Sequence, residues 1–151
     1  KSFPLGLARI IEKFPISDPI TKTEIESIRT YFDENMPSLW SAVLGRKVDQ
    51  LIGCSGAFDT IVDLIDQTEP GTKIRKRQEI DLEDFKKVYE LLIQSTVAER
   101  QLMKGLEPLR IEMIVPAVIL IDLVIRKLDI QKMVQTDYAL REGVLYERVS
   151  R

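Results

Sequence analysis

The sequence predicts an α/β domain in which parallel strands alternate with helices. Short apolar runs of strand type are separated by longer segments whose apolar residues recur every three or four positions. The chain has 151 residues, of which 44% are hydrophobic and 30% charged. That length and balance suit a folded protein with a core of its own. We therefore expect a single domain over residues 1–151.

In the first half of the chain, the spacing of the apolar residues indicates where strands and helices lie. They predict, in order, a strand at 2–5, a helix at 7–14, a helix at 23–35, a short amphipathic element at 38–44 and a strand at 48–52. Thr23, with Glu26 three residues later, has the spacing of a capping box at the start of the second helix. Pro37 ends that helix, because proline cannot continue its hydrogen bonds.

In the second half, polar and turn-forming residues separate longer apolar patterns. They predict a helix at 58–67, a loop at 68–78, helices at 81–94, 96–102 and 109–128, a strand at 133–136 and a closing helix at 140–149. The most apolar run, 111–125, contains Glu112, Pro116 and Asp122. It is shorter than the roughly 20 apolar residues that cross a bilayer, so we expect a buried helix and no membrane contact.

Residues 50–61 form the clearest candidate for a ligand site. A short apolar strand leads into Gly53, Ser55 and Gly56, and a helical pattern follows. A strand that turns through glycines into a helix N-terminus directs several backbone N–H groups at one place, which suits a phosphate. A plain tight turn between two packed elements explains the same residues. Taken alone, the pattern favours the tight turn, because turns of glycine and serine are common.

Composition excludes several classes of function. The chain has no histidine, which removes Ser–His catalysis and histidine-based metal sites. A net charge of −2 argues against a sequence-independent nucleic-acid surface. The basic stretch 73–77 is interpreted as a solvated loop, with a rim that guides a polyanion as the alternative. Cys54 is the single cysteine, so no internal disulfide forms; we expect a buried filler and a cytoplasmic protein.

Several motifs together resemble one enzyme family. The chain opens with SFPLGLAR at 2–9 and carries, after the glycine turn, GLEPLR at 105–110, VPA at 115–117 and DYALREG at 137–143. This set, in this order, resembles the second lobe of the exopolyphosphatase and guanosine pentaphosphate phosphatase family, over nearly the whole chain. Two positions depart from the family pattern. Ala57 replaces a threonine, which removes a hydroxyl beside the glycine turn, and Lys104 stands where proline is common.

The resemblance implies both a fold and an activity. The fold is a ribonuclease H-like lobe of the actin-like and sugar kinase superfamily, with a mixed sheet flanked by helices. The activity is hydrolysis of terminal phosphoanhydride bonds in polyphosphate or guanosine pentaphosphate, with Mg²⁺, in a cleft shared with the first lobe of the same protein. A non-catalytic or sugar-kinase-like domain that binds a nucleotide or a protein is the alternative. Whether two copies pair as a homodimer is left open.

Site residues follow from the same resemblance. The family's metal-binding loop and catalytic glutamate lie upstream of the matching segment, so we expect no catalytic residue and no metal ligand here, and no activity from this chain alone. The residues expected to bind phosphate are Gly53, Ser55, Gly56 and Arg110. The planar guanidinium of Arg110 suits phosphate oxygens, and a salt bridge at a helix end is an equal alternative.

Three more residues lie between the last strand and the last helix. Asp137, Arg141 and Glu142 are assigned to the cleft or to structure. Ligands of α/β sheets bind beyond the carboxyl ends of strands, and Asp137 directly follows a predicted strand. A cap on the following helix is the favoured role for Asp137.

Overall fold

The computed structural model describes residues 3–54, 56–72 and 76–149. Its elements in chain order are α1 (Leu7–Lys13), α2 (Lys22–Glu34), α3 (Pro37–Val43), β1 (Gln50–Cys54), α4 (Ala57–Asp66), β2 (Arg77–Ile80), α5 (Leu82–Gln94), α6 (Val97–Arg100), a 3₁₀ turn (Pro108–Arg110), α7 (Ile114–Leu128), β3 (Lys132–Thr136) and α8 (Leu140–Val149). The alternation of strands and helices that the sequence predicts is confirmed.

The three strands form one mixed sheet in the order β1–β3–β2. β1 and β3 are parallel, whereas β2 runs antiparallel to β3. Because β1 and β3 run in the same direction, their last residues, Cys54 and Thr136, are register partners at one edge of the sheet. The segments that follow these two strands therefore begin side by side.

Helix α7 forms the centre of the hydrophobic core. Its first turns, from Ile114 to Ile119, are buried, and the helix contacts α1, α2, α4 and α5. Burial of one aliphatic side chain contributes about 1.5–3 kcal/mol to stability. The apolar side chains of α7 therefore supply much of the energy that holds the surrounding helices together. This confirms the prediction of a helix buried on most sides. Among the described residues no helix has the length and apolar character that a membrane span requires.

A buried ion pair explains the aspartate in this apolar helix. The guanidinium of Arg29 on α2 donates to Asp122 over 2.6 Å and to the Tyr89 hydroxyl over 2.8 Å. Arg126 donates to the other oxygen of Asp122 over 2.8 Å. Breaking such a pair by removing one partner is strongly destabilising, because it leaves a buried charge uncompensated. The Arg29–Asp122 pair thus joins α2 to α7, and the Arg29–Tyr89 hydrogen bond adds α5.

The predicted long helix begins later than expected. Residues 109–113 lie outside α7, which starts at Ile114. Pro116 occupies the first turn of α7, where its missing N–H costs nothing. A helix that began at residue 109 would place Pro116 in its interior and lose a hydrogen bond. Arg110 therefore belongs to a 3₁₀ turn before the helix.

Two strand predictions are wrong. The first half of Arg77–Ile80 lies in the segment predicted as a loop and the second half had no predicted element, yet the four residues form β2 at the sheet edge. Its polar sequence carries one buried apolar residue, which is common in edge strands. The opposite error concerns residues 2–5: Ser2 is outside the described residues, and Phe3–Leu5 form no strand, because no described strand pairs with them.

The cysteine prediction is also wrong. Cys54 is exposed rather than buried. It shares one face of β1 with Ile52, which is 57% exposed. Only the opposite face, which carries Gly53, packs against a helix. β1 itself starts and ends two residues later than predicted, at Gln50–Cys54.

Helix α2 starts one residue earlier than predicted, at Lys22, and its capping box lies two residues before the predicted one. The side chain of Thr21 accepts a hydrogen bond from the Glu24 backbone, and the Glu24 carboxylate accepts from the Thr21 N–H. The predicted pair, Thr23 and Glu26, has the same spacing. The earlier box places the buried Ile20 and Ile25 at the positions of a hydrophobic staple, which favours it.

The Glu24 carboxylate predicts a pH dependence of stability. Hydrogen bonds from the Thr21 backbone and hydroxyl, and from Ser17, hold its pKa at about 2, below the ordinary value of 4.5. The folded pKa is depressed, so the contribution is present above pH 4.5 and is lost as pH falls toward 2. Glu24→Gln should flatten the fall in the free energy of unfolding across this window, measured by urea titration. Glu34→Gln is the control; a Glu24→Gln profile parallel to wild type would contradict the assignment.

Candidate phosphate-binding site

A cavity of about 280 Å³ opens at the sheet edge where β1 and β3 end. Its polar lining comes from three parts of the chain: α4, the turn before α7, and the end of β3. The charged and amide side chains that line it are Asp59, Asp63, Glu107, Arg110, Gln135 and Asp137. Two predicted site residues, Arg110 and Asp137, thus share one cavity.

The turn between β1 and α4 reaches the same place. Gly56 is the N-cap of α4 and has φ of +62°, a conformation that favours glycine. Glycine has no side chain that could cap the helix, and the first N–H groups of any helix lack helical partners and carry the positive end of the helix dipole. A Cβ added to Gly56 would lie 3.2 Å from Nη1 of Arg110. The structure therefore places the Arg110 guanidinium beside the α4 N-terminus.

Arg110 also makes the salt bridge that was its alternative role. Its Nε donates to the Glu107 carboxylate over 2.9 Å, and its side chain is one-third exposed. The guanidinium therefore has one edge on Glu107, while Nη1 faces Gly56. This arrangement is compatible with an anion between Arg110 and α4.

The turn that carries Arg110 is held at both ends. The buried Arg100 donates from Nε to the carbonyl of Ile111 over 3.1 Å, just after the turn. Gly105, just before it, has φ of +97° and lies against the α4 backbone at Asp63. These contacts fix the position of Arg110 relative to α4.

Gly53 has a packing role in the described structure. It lies inside β1 rather than in a loop, and a Cβ there would fall 2.0 Å from the Phe58 ring. Phe58 on α4 thus covers Gly53 and holds helix against strand. Binding of phosphate by Gly53 stays a prediction. Ser55 lies outside the described residues; Arg141 and Glu142 belong to α8, but their side chains also lie outside the description.

Gln135 is the site residue that sequence reasoning missed. It lies on β3, is 1% exposed, and its Nε2 donates to Asp59 over 2.9 Å and to Asp137 over 2.7 Å. Its Oε1 is buried and has no hydrogen-bond partner among the described residues. A glutamine directly after the apolar pair Met133 and Val134 in a predicted strand was the available signal. The cap that Asp137 was expected to form on α8 stays a prediction.

The cavity carries more negative than positive side chains. Four carboxylates, those of Asp59, Asp63, Glu107 and Asp137, surround the single guanidinium of Arg110 among the described lining residues. An anion would meet net repulsion here unless a cation accompanied it. No group of three or more acidic, cysteine or histidine side chains is arranged to hold a metal ion in the part of the chain that is described.

Comparisons with known proteins agree on one family. A sequence profile of the Ppx/GppA phosphatase family matches residues 1–151. Exopolyphosphatase 1 of Mycobacterium leprae is 21% identical over 149 residues, which cover 98% of this chain and 44% of that protein. The crystal structure of an exopolyphosphatase from Cytophaga hutchinsonii is 32% identical, with a TM-score of 0.90 over 99% of this chain and 49% of its own. A Ppx/GppA family member from Aquifex aeolicus is 20% identical, with a TM-score of 0.80.

The chain spans about half the length of these relatives, as expected for one of two lobes. The likeness to the solved structures confirms the predicted fold class, an actin-like ATPase lobe with a mixed sheet flanked by helices. Because the family profile matches the whole sequence, the chain belongs to the Ppx/GppA phosphatase family.

Proposed function

We propose that this chain is the second, phosphate-holding lobe of an enzyme that hydrolyses terminal phosphoanhydride bonds. The observation that supports this most directly is the position of the Arg110 Nη1 beside Gly56, at the N-terminus of α4. Backbone N–H groups and a guanidinium that converge at one point suit the oxygens of a phosphate. The substrates proposed are inorganic polyphosphate and guanosine pentaphosphate, which share a terminal phosphoanhydride.

The chemistry assigned to this lobe is binding and orientation. The N–H groups of α4 and the Arg110 guanidinium hold the oxygens of the terminal phosphate, and these contacts strengthen as charge develops on them. The first lobe of the same protein closes the cleft and activates the attacking water. A divalent cation, proposed to be Mg²⁺, neutralises charge on the phosphate oxygens when it is bound. The carboxylates of Asp59 and Asp137 are of the ligand type that suits it.

The proposed activity is tested on a full-length protein that contains this lobe. Orthophosphate release would be measured from polyphosphate and from guanosine pentaphosphate in parallel, with Mg²⁺ present. Release from either substrate supports the proposal, and the ratio of the two values of kcat/KM gives the preference. Tight binding of a nucleotide or a protein without release would favour the non-catalytic alternative. A cytoplasmic, bacterial origin is part of the same proposal.

The isolated chain should have no measurable phosphatase activity. The described cavity holds groups proposed to bind phosphate, whereas the family resemblance implies that the glutamate which activates water belongs to the other lobe. The measurement is orthophosphate release from polyphosphate by the purified 151-residue chain, compared with a mock purification. Turnover above that control would show that this lobe carries catalytic residues of its own.

A further inference from the structure

A second cavity, of about 240 Å³, opens between the end of α1, the loop at 15–20, α6 and the start of α7. It shares no lining residue with the cavity at the sheet edge. Its volume is below the range of about 300–1,000 Å³ that is usual for drug-sized ligands, so a smaller molecule suits it. Most of its lining is apolar and includes Ile11, Phe14, Ile16, Ile20, Val97 and Val115.

One wall of this cavity carries a buried arginine. The side chain of Arg100 is 8% exposed. Its Nε donates to the Ile111 carbonyl over 3.1 Å, and its Nη1 donates to the Ser95 carbonyl over 2.5 Å. Nη2 also carries N–H donors but makes no hydrogen bond with the described part of the chain. A buried guanidinium that lines a cavity and has one nitrogen without an acceptor is suited to bind a negatively charged oxygen.

Two carboxylates on the same lining restrict which anion fits. Oδ1 of Asp18 lies 3.8 Å from Nη2 of Arg100, too far for a hydrogen bond, and accepts one from the Val97 N–H over 2.8 Å. Burial lowers the pKa of the Arg100 guanidinium, whereas the charges of Asp18 and Glu112 act to raise it. Both carboxylates are thus near Arg100, and they would repel a bare carboxylate that bound to Nη2. A ligand with a positive group beside its carboxylate would be attracted to both signs of charge.

We propose that this cavity binds a free α-amino acid with an apolar side chain. The carboxylate of the ligand accepts hydrogen bonds from Nη2 of Arg100, and its ammonium group lies against Asp18 and Glu112. The apolar side chain of the ligand packs against the isoleucines and valines of the lining, which removes its surface from water. An α-amino acid carries these three parts within a few bonds of one another, as a cavity of this size requires.

Binding is tested by NMR titration of the 151-residue chain with L-leucine. Leucine should shift the amide signals of residues 16–20, 97–100 and 112–115 more than any others. Three analogues each remove one part of the ligand: 4-methylpentanoate lacks the ammonium group, 3-methylbutylamine lacks the carboxylate, and glycine lacks the apolar side chain. Each should bind at least about tenfold more weakly than leucine, because a charged hydrogen bond or a buried side chain contributes at least that factor.

Two variants remove the partners of the ammonium group one at a time. Asp18→Asn keeps an oxygen that accepts from the Val97 N–H, and Glu112→Gln keeps the size of the side chain. Each should weaken leucine binding severalfold and tighten the binding of 4-methylpentanoate, because the repulsion of its carboxylate is reduced. A merely structural role of either acid would not produce opposite changes for the two ligands. Glu90→Gln, at an exposed position on α5, is the matched control and should change neither affinity.

The absence of a saturable shift around Arg100 on addition of leucine would overturn the proposal. Equal affinities of the wild-type chain for leucine and 4-methylpentanoate would also overturn it, because the two carboxylates would then have no part in recognition. Should Asp18→Asn fail to fold, Glu112→Gln and the three analogues decide. None of these measurements involves phosphate, so their outcome is independent of the proposed function.

Discussion

Replacement of Gly105 by alanine should destabilise the domain by about 3–5 kcal/mol, within the range of the largest single-residue effects. Gly105 has φ of +97°, and a Cβ there would lie 2.6 Å from the carbonyl carbon and oxygen of Asp63. Both atoms belong to the α4 backbone, so no side-chain rotation relieves the clash. Either α4 or the turn before α7 has to move. The loss would be measured as the free energy of unfolding in urea.

Gly45→Ala is the matched control for this prediction. Gly45 also has a positive φ, +70°, but a Cβ there would meet nothing within 4 Å. The loss of stability in Gly45→Ala should therefore come from backbone strain alone and amount to about 1–2 kcal/mol. Equal losses for the two variants would mean that the contact with α4 contributes nothing. A large loss at Gly105 alone would show that the GLEPLR segment begins with a packing glycine that positions Arg110.

The parts of the site that depend on local sequence could be predicted. The turn from β1 to α4 has glycines after an apolar strand and before a helical pattern, and each signal lies within a few residues of the turn. Arg110 was placed in the site by its motif. Its position beside Gly56 depends on Gly105, which packs against the α4 backbone, and on Arg100, which donates to the Ile111 carbonyl at the end of the turn. The spacing of residues along the sequence does not predict these contacts, because they join segments that are distant in sequence.

The elements that were missed depend on partners distant in sequence. β2 has a polar sequence and becomes a strand only because β3 offers an edge to pair with. The predicted strand at 2–5 has the right composition, but among the described strands it has no partner. At α2, two overlapping capping boxes were equivalent by spacing, and the burial of Ile20 favoured the one at Thr21. Gln135 looked like one polar interruption until the fold brought Asp59 and Asp137 to its amide.

Replacement of Arg110 by alanine should lower kcat/KM of a full-length enzyme by about tenfold to a hundredfold. Charged hydrogen bonds are worth about 1.5–3 kcal/mol, and those to phosphate strengthen in the transition state. The folded state should lose little stability. The Arg110–Glu107 pair is only partly buried, since the two side chains are 33% and 42% exposed. Such surface pairs contribute about 0–1 kcal/mol to stability. The melting temperature should therefore stay close to that of wild type.

Two further variants make the Arg110 result specific. Arg110→Lys keeps the charge but loses the planar fork that contacts two oxygens at once, so its kcat/KM should fall between wild type and Arg110→Ala. Arg46→Ala removes an exposed arginine remote from the cavity and should leave kcat/KM unchanged. If Arg110→Ala instead unfolds readily and keeps normal turnover per folded molecule, the residue serves the ion pair with Glu107 and not the substrate. A phosphate-binding arginine requires a loss of kcat/KM without a loss of stability. A contact made to the substrate lowers kcat/KM when it is removed, whereas it leaves the free energy of unfolding of the empty enzyme unchanged.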